Sequence, residues 1–278
     1  MMTPILSIWN SQPDNDYDSF SAFARGTYKF NNTTNFFGGV GKASRVPDAR
    51  ELYWKSASGK EGGTPDLDDT SNYEIDFGME NNFENLTIKT SVFYSKLKDY
   101  IYYNAGPVGG PAKTINNFEN IDAKIYGFDI SGLYSFTDDI YLDFGLAYQR
   151  GKKDDALAGQ TDKDLANITP AKLNLGLNYD YMANSTVKVE VVAADTWDNY
   201  DADNGEQKID SYAVMNLKAR HDLNKNFEVT VGIDNVFDKT YAVNNTYKDL
   251  ILLTDGNGDV MMMNEPGRYY YVNASFKF

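Results

Sequence analysis

The residues with the strongest claim to chemistry are three consecutive methionines, Met261, Met262 and Met263. A thioether is a soft, uncharged ligand that suits Cu(I). Side chains alternate sides along an extended chain, so Met261 and Met263 share a face and form a two-sulfur candidate metal site. The competing reading is packing, because methionine fills irregular apolar gaps at the rim of a fold. His221 is the only histidine and there is no cysteine, so the usual ligands of a zinc site are missing. Two acidic stretches, Asp66-Leu67-Asp68-Asp69 and Asp195 to Asp203, offer oxygen ligands for calcium or a field for cations. Neither has the spacing of an EF-hand loop, and solvated loop charge is the simpler expectation. The chain contains no G-x-S-x-G, no H-E-x-x-H and no P-loop. With a single histidine near a strand end, a Ser–His–Asp hydrolase is not expected. The expectation is a protein that is not an enzyme and carries no cofactor.

The elements that must position these residues are strands. Phe20, Ala22, Ala24, Gly26, Tyr28 and Phe30 share one face, while Ser21, Arg25, Thr27 and Lys29 share the other. The same period of two recurs in Tyr73–Met79, Leu86–Tyr94, Tyr126–Tyr134, Leu142–Tyr148, Leu173–Tyr181, Val187–Val191, Ala213–Leu217, Phe227–Ile233 and Tyr270–Phe278. Strict alternation over such lengths is the strand pattern. The connections alternate as well. Short polar turns such as Asn31-Asn32-Thr33-Thr34 and Asn224-Lys225-Asn226 are interleaved with long segments at roughly 45–71, 102–120, 150–170, 195–210 and 236–265. Short turns at one end and long loops at the other are the layout of outer-membrane barrels. The fold class expected is all-β, an antiparallel transmembrane β-barrel.

Composition agrees. The 278 residues include 21 tyrosines, 16 phenylalanines and 22 glycines, which suits strands and tight turns. No run of about 18 apolar residues exists, which excludes a transmembrane helix. A mean hydropathy of −0.52 does not exclude transmembrane strands, which need an apolar residue only at every second position. With 40 acidic against 26 basic residues and a net charge of −14, nucleic acid is not an expected partner. Met1-Met2-Thr3-Pro4 lacks the charged, apolar and cleavage regions of a signal peptide. The pattern yields about eleven strands, whereas bacterial barrels normally have an even number. A fragment of a larger barrel, or one missed strand, would explain the odd count.

Several motifs then coincide. Ser44-Arg45-Val46-Pro47-Asp48-Ala49-Arg50-Glu51-Leu52-Tyr53 resembles a conserved extracellular segment of the TonB-dependent receptors, and Asn72 to Gly78 resembles the strand that follows it. Tyr126-Gly127-Phe128-Asp129 and Ile168-Thr169-Pro170-Ala171 resemble further strand signatures of that family. Ile233 to Tyr241 and Pro266 to Phe278 resemble its last two boxes. The resemblance covers nearly the whole chain. It implies residues 1–278 as the C-terminal part of a barrel of about 22 strands, in the bacterial cell outer membrane, in contact with outer-membrane lipid. The family's plug domain and TonB box have no counterpart here, so contact with the TonB complex would run through that missing plug. The implied function is receptor and transporter for a metal or metal chelate, copper or an iron-siderophore, with Ser44 to Tyr53 most similar to the copper-receptor branch. The terminal strand to Phe278 also resembles the signal read by outer-membrane assembly machinery. The alternative is an independent small barrel acting as a passive pore or structural protein.

Overall fold

A computed structural model of the chain describes residues 16–55, 62–104, 117–243 and 263–277. Eleven strands form one sheet: β1 (Ala22–Lys29), β2 (Thr34–Arg45), β3 (Thr70–Asn82), β4 (Leu86–Asn104), β5 (Asn117–Ser135), β6 (Ile140–Lys153), β7 (Lys172–Met182), β8 (Ser185–Ala194), β9 (Tyr212–Asn224), β10 (Phe227–Asp234) and β11 (Tyr269–Phe276). Each strand pairs only with its neighbours in sequence, from β1 to β11. Every pairing is antiparallel. Strand direction therefore alternates, and β1 and β11, at the two edges of the sheet, run the same way.

The short turns are closed by their own side chains. Asn31 Oδ1 accepts from the backbone N–H groups of Thr33 and Thr34, each at 2.8 Å. Asn224 Oδ1 accepts from Asn226 and Phe227 in the same manner, and Thr137 Oγ1 from Asp139 and Ile140. These local bonds replace ladder bonds where the chain reverses.

Register turns the alternation into two continuous faces. On one face, Val40 meets Ile75, Ile75 meets Tyr94, and Tyr94 meets Tyr126. The same face continues through Phe128–Tyr148, Leu142–Leu177, Val189–Leu217 and Val231–Val272. Its residues are exposed despite their chemistry: Ile75 is 56% and Val272 71% accessible. An apolar band this long, bare to its surroundings, suits hydrocarbon rather than water. The other face is polar. Lys188 Nζ lies 3.1 Å from Asp143 and 3.2 Å from Glu190, and Asn216 Nδ2 donates to Glu190 at 3.1 Å.

Glycine makes room for aromatic rings on that polar face. Any Cβ at Gly78 would enter the ring of Phe37, which pairs with it across β2 and β3. Arg25 and Lys89 sit over the same ring, 5.3 and 5.2 Å from its centroid. A Cβ at Gly232 would likewise enter the ring of Tyr271.

Strand ends depart from the sequence expectation of a long connection over 102–120. Tyr102 to Asn104 pair with Asn117 to Glu119, extending β4 and β5. The register shifts between Leu97 and Tyr100, where Asp99 takes φ 52°. That bulge breaks the period of two and hides the continuation from a pattern reading. Segment 244–262, which contains Met261 and Met262, lies outside the described residues, as does Phe278.

Gly78→Val should displace Phe37 and lose its two cation contacts, at a cost of about 1–3 kcal/mol as an overpacked site. Urea unfolding of the folded protein in detergent measures this, and an unchanged midpoint would count against the close approach.

Candidate functional site at the long-loop end

All long connections leave the same end of the sheet, and the buried clusters among the described residues collect there. Leu52, Leu67 and Ile101 form one, Leu97, Tyr102, Ala123, Leu157 and Leu165 a second, and Trp197, Ile209 and Ala242 a third.

The segment Ser44–Tyr53 ends in a short helix, α1 (Ala49–Tyr53). Asp48 caps it, accepting from the N–H groups of Arg50 and Glu51 at 2.8 Å, while Glu51 Oε2 accepts from Asp48 N–H at 2.8 Å. This is a capping box. Arg45, the last residue of β2, forks onto both oxygens of Glu51, each at 2.9 Å. Strand end and helix are thereby clamped together, and Leu52 is turned inward to pack on Leu67 and Ile101. After β10, Asn235 bonds to Lys239 through both ends of its amide, and Asp238 Oδ1 accepts from Arg268 N–H at 2.7 Å. Asn235 and Asp238 both take positive φ, at 51° and 55°. The box from Ile233 to Tyr241 is thus built as a turn, which is the role its residue types favour.

The centre of this end is a buried charged hub. Lys153 and Asp201 have fully buried side chains 3.0 Å apart. Asp201 Oδ2 also accepts from the Tyr102 hydroxyl and from Asn204 Nδ2, both at 2.7 Å. The Tyr102 hydroxyl in turn accepts from Ala166 N–H at 2.7 Å, and Lys153 Nζ lies 5.1 Å from the Tyr102 ring centroid. Gln160 bridges Asn104 and Asn204. Glu206 accepts from the N–H groups of Asp201 and Asn167, each at 2.8 Å. One network therefore ties the end of β4 to the loops that follow β6 and β8. The acidic run Asp195 to Asp203 is only partly the solvated charge expected from sequence. Asp195 and Asp198 are exposed, but Asp201 is fully buried and paired. The partner, Lys153, lies far along the chain, so no local pattern reveals it. Asp66 and Asp68 are exposed, as expected.

Burial pushes the Glu206 carboxyl above its ordinary value of 4.5, with Asp201 and Asp162 adding to the rise. The folded state therefore holds this proton more tightly than the unfolded state does. Stability from this group is full below pH 4.5 and falls as pH rises through the raised value.

The other candidate residues stand apart from the hub. Met263 lies exposed ahead of β11, at 57% accessibility, and Met261 is outside the described residues. His221 is at the short-turn end, its Nδ1 2.5 Å from the buried hydroxyl of Ser185. Among the described residues no three His, Cys, Asp or Glu side chains gather as a metal site. Among the described residues this end is a many-looped polar rim whose loops the hub ties together.

Comparison with known proteins points the same way. The family model described as "TonB dependent receptor-like, beta-barrel" matches residues 6–236. The vitamin B12 transporter BtuB of Photobacterium profundum is 24% identical over 241 residues, which is 86% of this chain and 34% of that protein. The structure of the copper transporter OprC superposes with a TM-score of 0.76 at 23% identity, over 93% of this chain and 39% of that one. A variant of the ferric enterobactin receptor PfeA of Pseudomonas aeruginosa gives a TM-score of 0.67 at 17% identity, over 93% of this chain and 40% of that one. At these identities the structural likeness speaks for the fold, and the chain spans well under half the length of each relative.

Two outcomes are expected at the hub. Lys153→Met leaves Asp201 charged, buried and unpaired, a loss of about 3–5 kcal/mol. Amide exchange across 150–170 and 195–210 should accelerate together, and adding Asp201→Asn should recover part of the protection; acceleration confined to one loop would show that the hub does not couple them. Separately, the difference in urea midpoint between the folded protein and its Glu206→Gln variant should fall as pH rises from 4.5. A rise over that window contradicts the direction given for Glu206.

Proposed function

Because the chain belongs to the TonB-dependent receptor β-barrel family, we propose that it is the C-terminal part of the barrel of an outer-membrane receptor that takes up a metal or metal chelate by TonB-dependent transport. The observation that carries this reading is the sheet formed by the described residues, eleven antiparallel strands whose two edges run the same way. Such a sheet closes only when an odd number of further strands is inserted between β11 and β1. The chain's 34% share of the length of BtuB is consistent with a wall completed by other sequence. The long-loop end then faces the cell exterior and the short turns face the periplasm, the usual arrangement. Ligand would be captured at the looped rim, with specificity spread over several loops.

Copper and iron-siderophores lead the ligand classes, supported by the likeness to OprC and PfeA and by the paired thioethers Met261 and Met263. Uptake of copper, a ferric siderophore and cobalamin by cells making the whole receptor, with and without TonB, tests the reading. One of the three should be taken up only with TonB. Equal uptake in both strains supports a passive pore instead. If the ligand is copper, Met261→Leu/Met263→Leu should lower copper affinity, and unchanged affinity removes the thioether site.

A further inference from the structure

Among the lysine–carboxylate contacts of the described residues, one stands apart. The pairs of Lys124 with Asp154, Lys163 with Asp155, and Lys188 with Asp143 and Glu190 all remain partly exposed. Lys153 and Asp201 are both fully enclosed, with Nζ 3.0 Å from Oδ2. With a C–O bond of about 1.2 Å, the nitrogen lies no more than about 4.2 Å from the carboxyl carbon. The two oxygens of Asp201 have different surroundings. Oδ2 also accepts from the Tyr102 hydroxyl and from Asn204 Nδ2. Oδ1 is buried and has no hydrogen-bond partner among the described residues. A buried carboxylate oxygen without a donor is costly, and an ion pair alone gives no reason for leaving it bare.

The surroundings are apolar and fixed. Lys153 stands opposite Ala123 in register, and its Nζ lies over the Tyr102 ring. Ala123, Leu97, Leu157 and Leu165 share one buried cluster with that ring. Lys153 ends β6, and its N–H donates to the Lys163 carbonyl at 2.7 Å. Asp201 is pinned through its backbone, since its N–H donates to Glu206 and the next N–H, of Ala202, donates to Asp162 Oδ2 at 3.0 Å. Asp203 Oδ2 accepts in return from the N–H groups of Thr161 and Asp162, each at 2.8 Å. A lysine amine desolvated among apolar groups is a nucleophile. Two groups held in a reactive geometry reach effective concentrations of roughly 10⁵–10⁸ M.

The geometry points to an intramolecular amide bond between Lys153 Nζ and the carboxyl carbon of Asp201, a covalent staple that forms after folding. One ammonium proton passes to the carboxylate, which leaves an amine and an acid with no change in net charge. Nζ then attacks the carboxyl carbon. Tyr102 O–H and Asn204 N–H hold Oδ2 as charge gathers on it, the role of oxyanion donors. Oδ1, which nothing holds, is the leaving atom. The N–C bond forms, the C–Oδ1 bond breaks, and Oδ1 departs as water with two of the three ammonium protons. The step balances without an added co-reactant. It replaces two buried charges, each desolvated at a cost, by a neutral amide. The staple closes a ring of chain from 153 to 201 that contains β7 and β8. In a chain without cysteine, it gives the rim a crosslink that no reductant opens. The bond is independent of the ligand class proposed above.

The test uses the whole receptor containing this chain, recovered folded from membranes, digested with trypsin and read by tandem mass spectrometry. An unlinked chain yields the separate peptides 154–163 and 189–208. A linked chain resists cleavage after Lys153 and yields one branched peptide joining 153–163 to 189–208, lighter by one water than the two together. The branched peptide should account for most of the chain, with fragment ions that place the amide on Lys153 and Asp201. Lys153→Arg, which keeps a cation beside Asp201, should abolish it, and so should Asp201→Ala. Tyr102→Phe should slow its appearance in pulse-labelled protein by about 10²–10³-fold, the usual loss for one oxyanion donor. Only separate peptides from the folded receptor, after prolonged incubation at growth temperature, overturn the staple without recourse to any variant. A branch at any other lysine or acid overturns the assignment to Lys153 and Asp201. Linkage at an unchanged rate in Tyr102→Phe overturns the role given to that hydroxyl.

Discussion

Everything in this molecule depends on giving the backbone hydrogen-bonding groups of each strand a partner on the next. A strand against hydrocarbon must give every N–H and C=O a partner on the next strand, because an open edge there costs several kcal/mol for each orphan group. Ten antiparallel pairings meet that demand from β1 to β11. The two edge strands leave it unmet, and their shared direction fixes what can meet it. A second copy inserted the same way up would set β11 against a parallel β1. A run of an odd number of strands whose own two edges run opposite to β1 and β11 closes the wall antiparallel throughout.

The sheet has little conventional core. Its apolar face looks outward and its polar face carries ion pairs, and among the described residues the buried hydrophobic clusters lie at the looped end. There the fold uses a device that a small core rarely tolerates, a fully buried Lys153–Asp201 pair. The pair is affordable because Tyr102 and Asn204 also donate to the carboxylate, so much of the desolvation is offset by hydrogen bonds. The apolar side chains of Leu157 and Leu165 pack close by. Segments whose own composition is loop-like acquire a fixed shape through this one junction.

Sequence carried most of the strand layout because alternation is a short-range signal. Turn residues such as Asn31, Asn224 and Asn235 were legible for the same reason, since their bonds span two to four residues. Three features were not legible. The outer parts of β4 and β5 lie past a bulge at Asp99 that shifts the phase of the pattern. Asp201 sits in an acidic run that looks solvated, and its partner is 48 residues away. The outward-facing alignment of Lys42, Tyr73, Lys96, Lys124 and Lys152 across β2 to β6 exists only once register is set, because the five residues belong to separate strands. The paired methionines were conspicuous in the sequence, and only Met263 falls in the described structure.

The strictly sequential strand order has a kinetic consequence. Each strand finds its partner in the segment just before it, so the wall can be laid down hairpin by hairpin as the chain becomes available, with a small loop-closure cost at every step. The junctions at the rim, Lys153–Asp201 and Asp68–Asn120 among them, wait for distant segments to arrive. Assembly should therefore be early and local in the sheet and late and cooperative at the rim, with the seam beside β11 the last place where a misplaced neighbour can be exchanged for the right one.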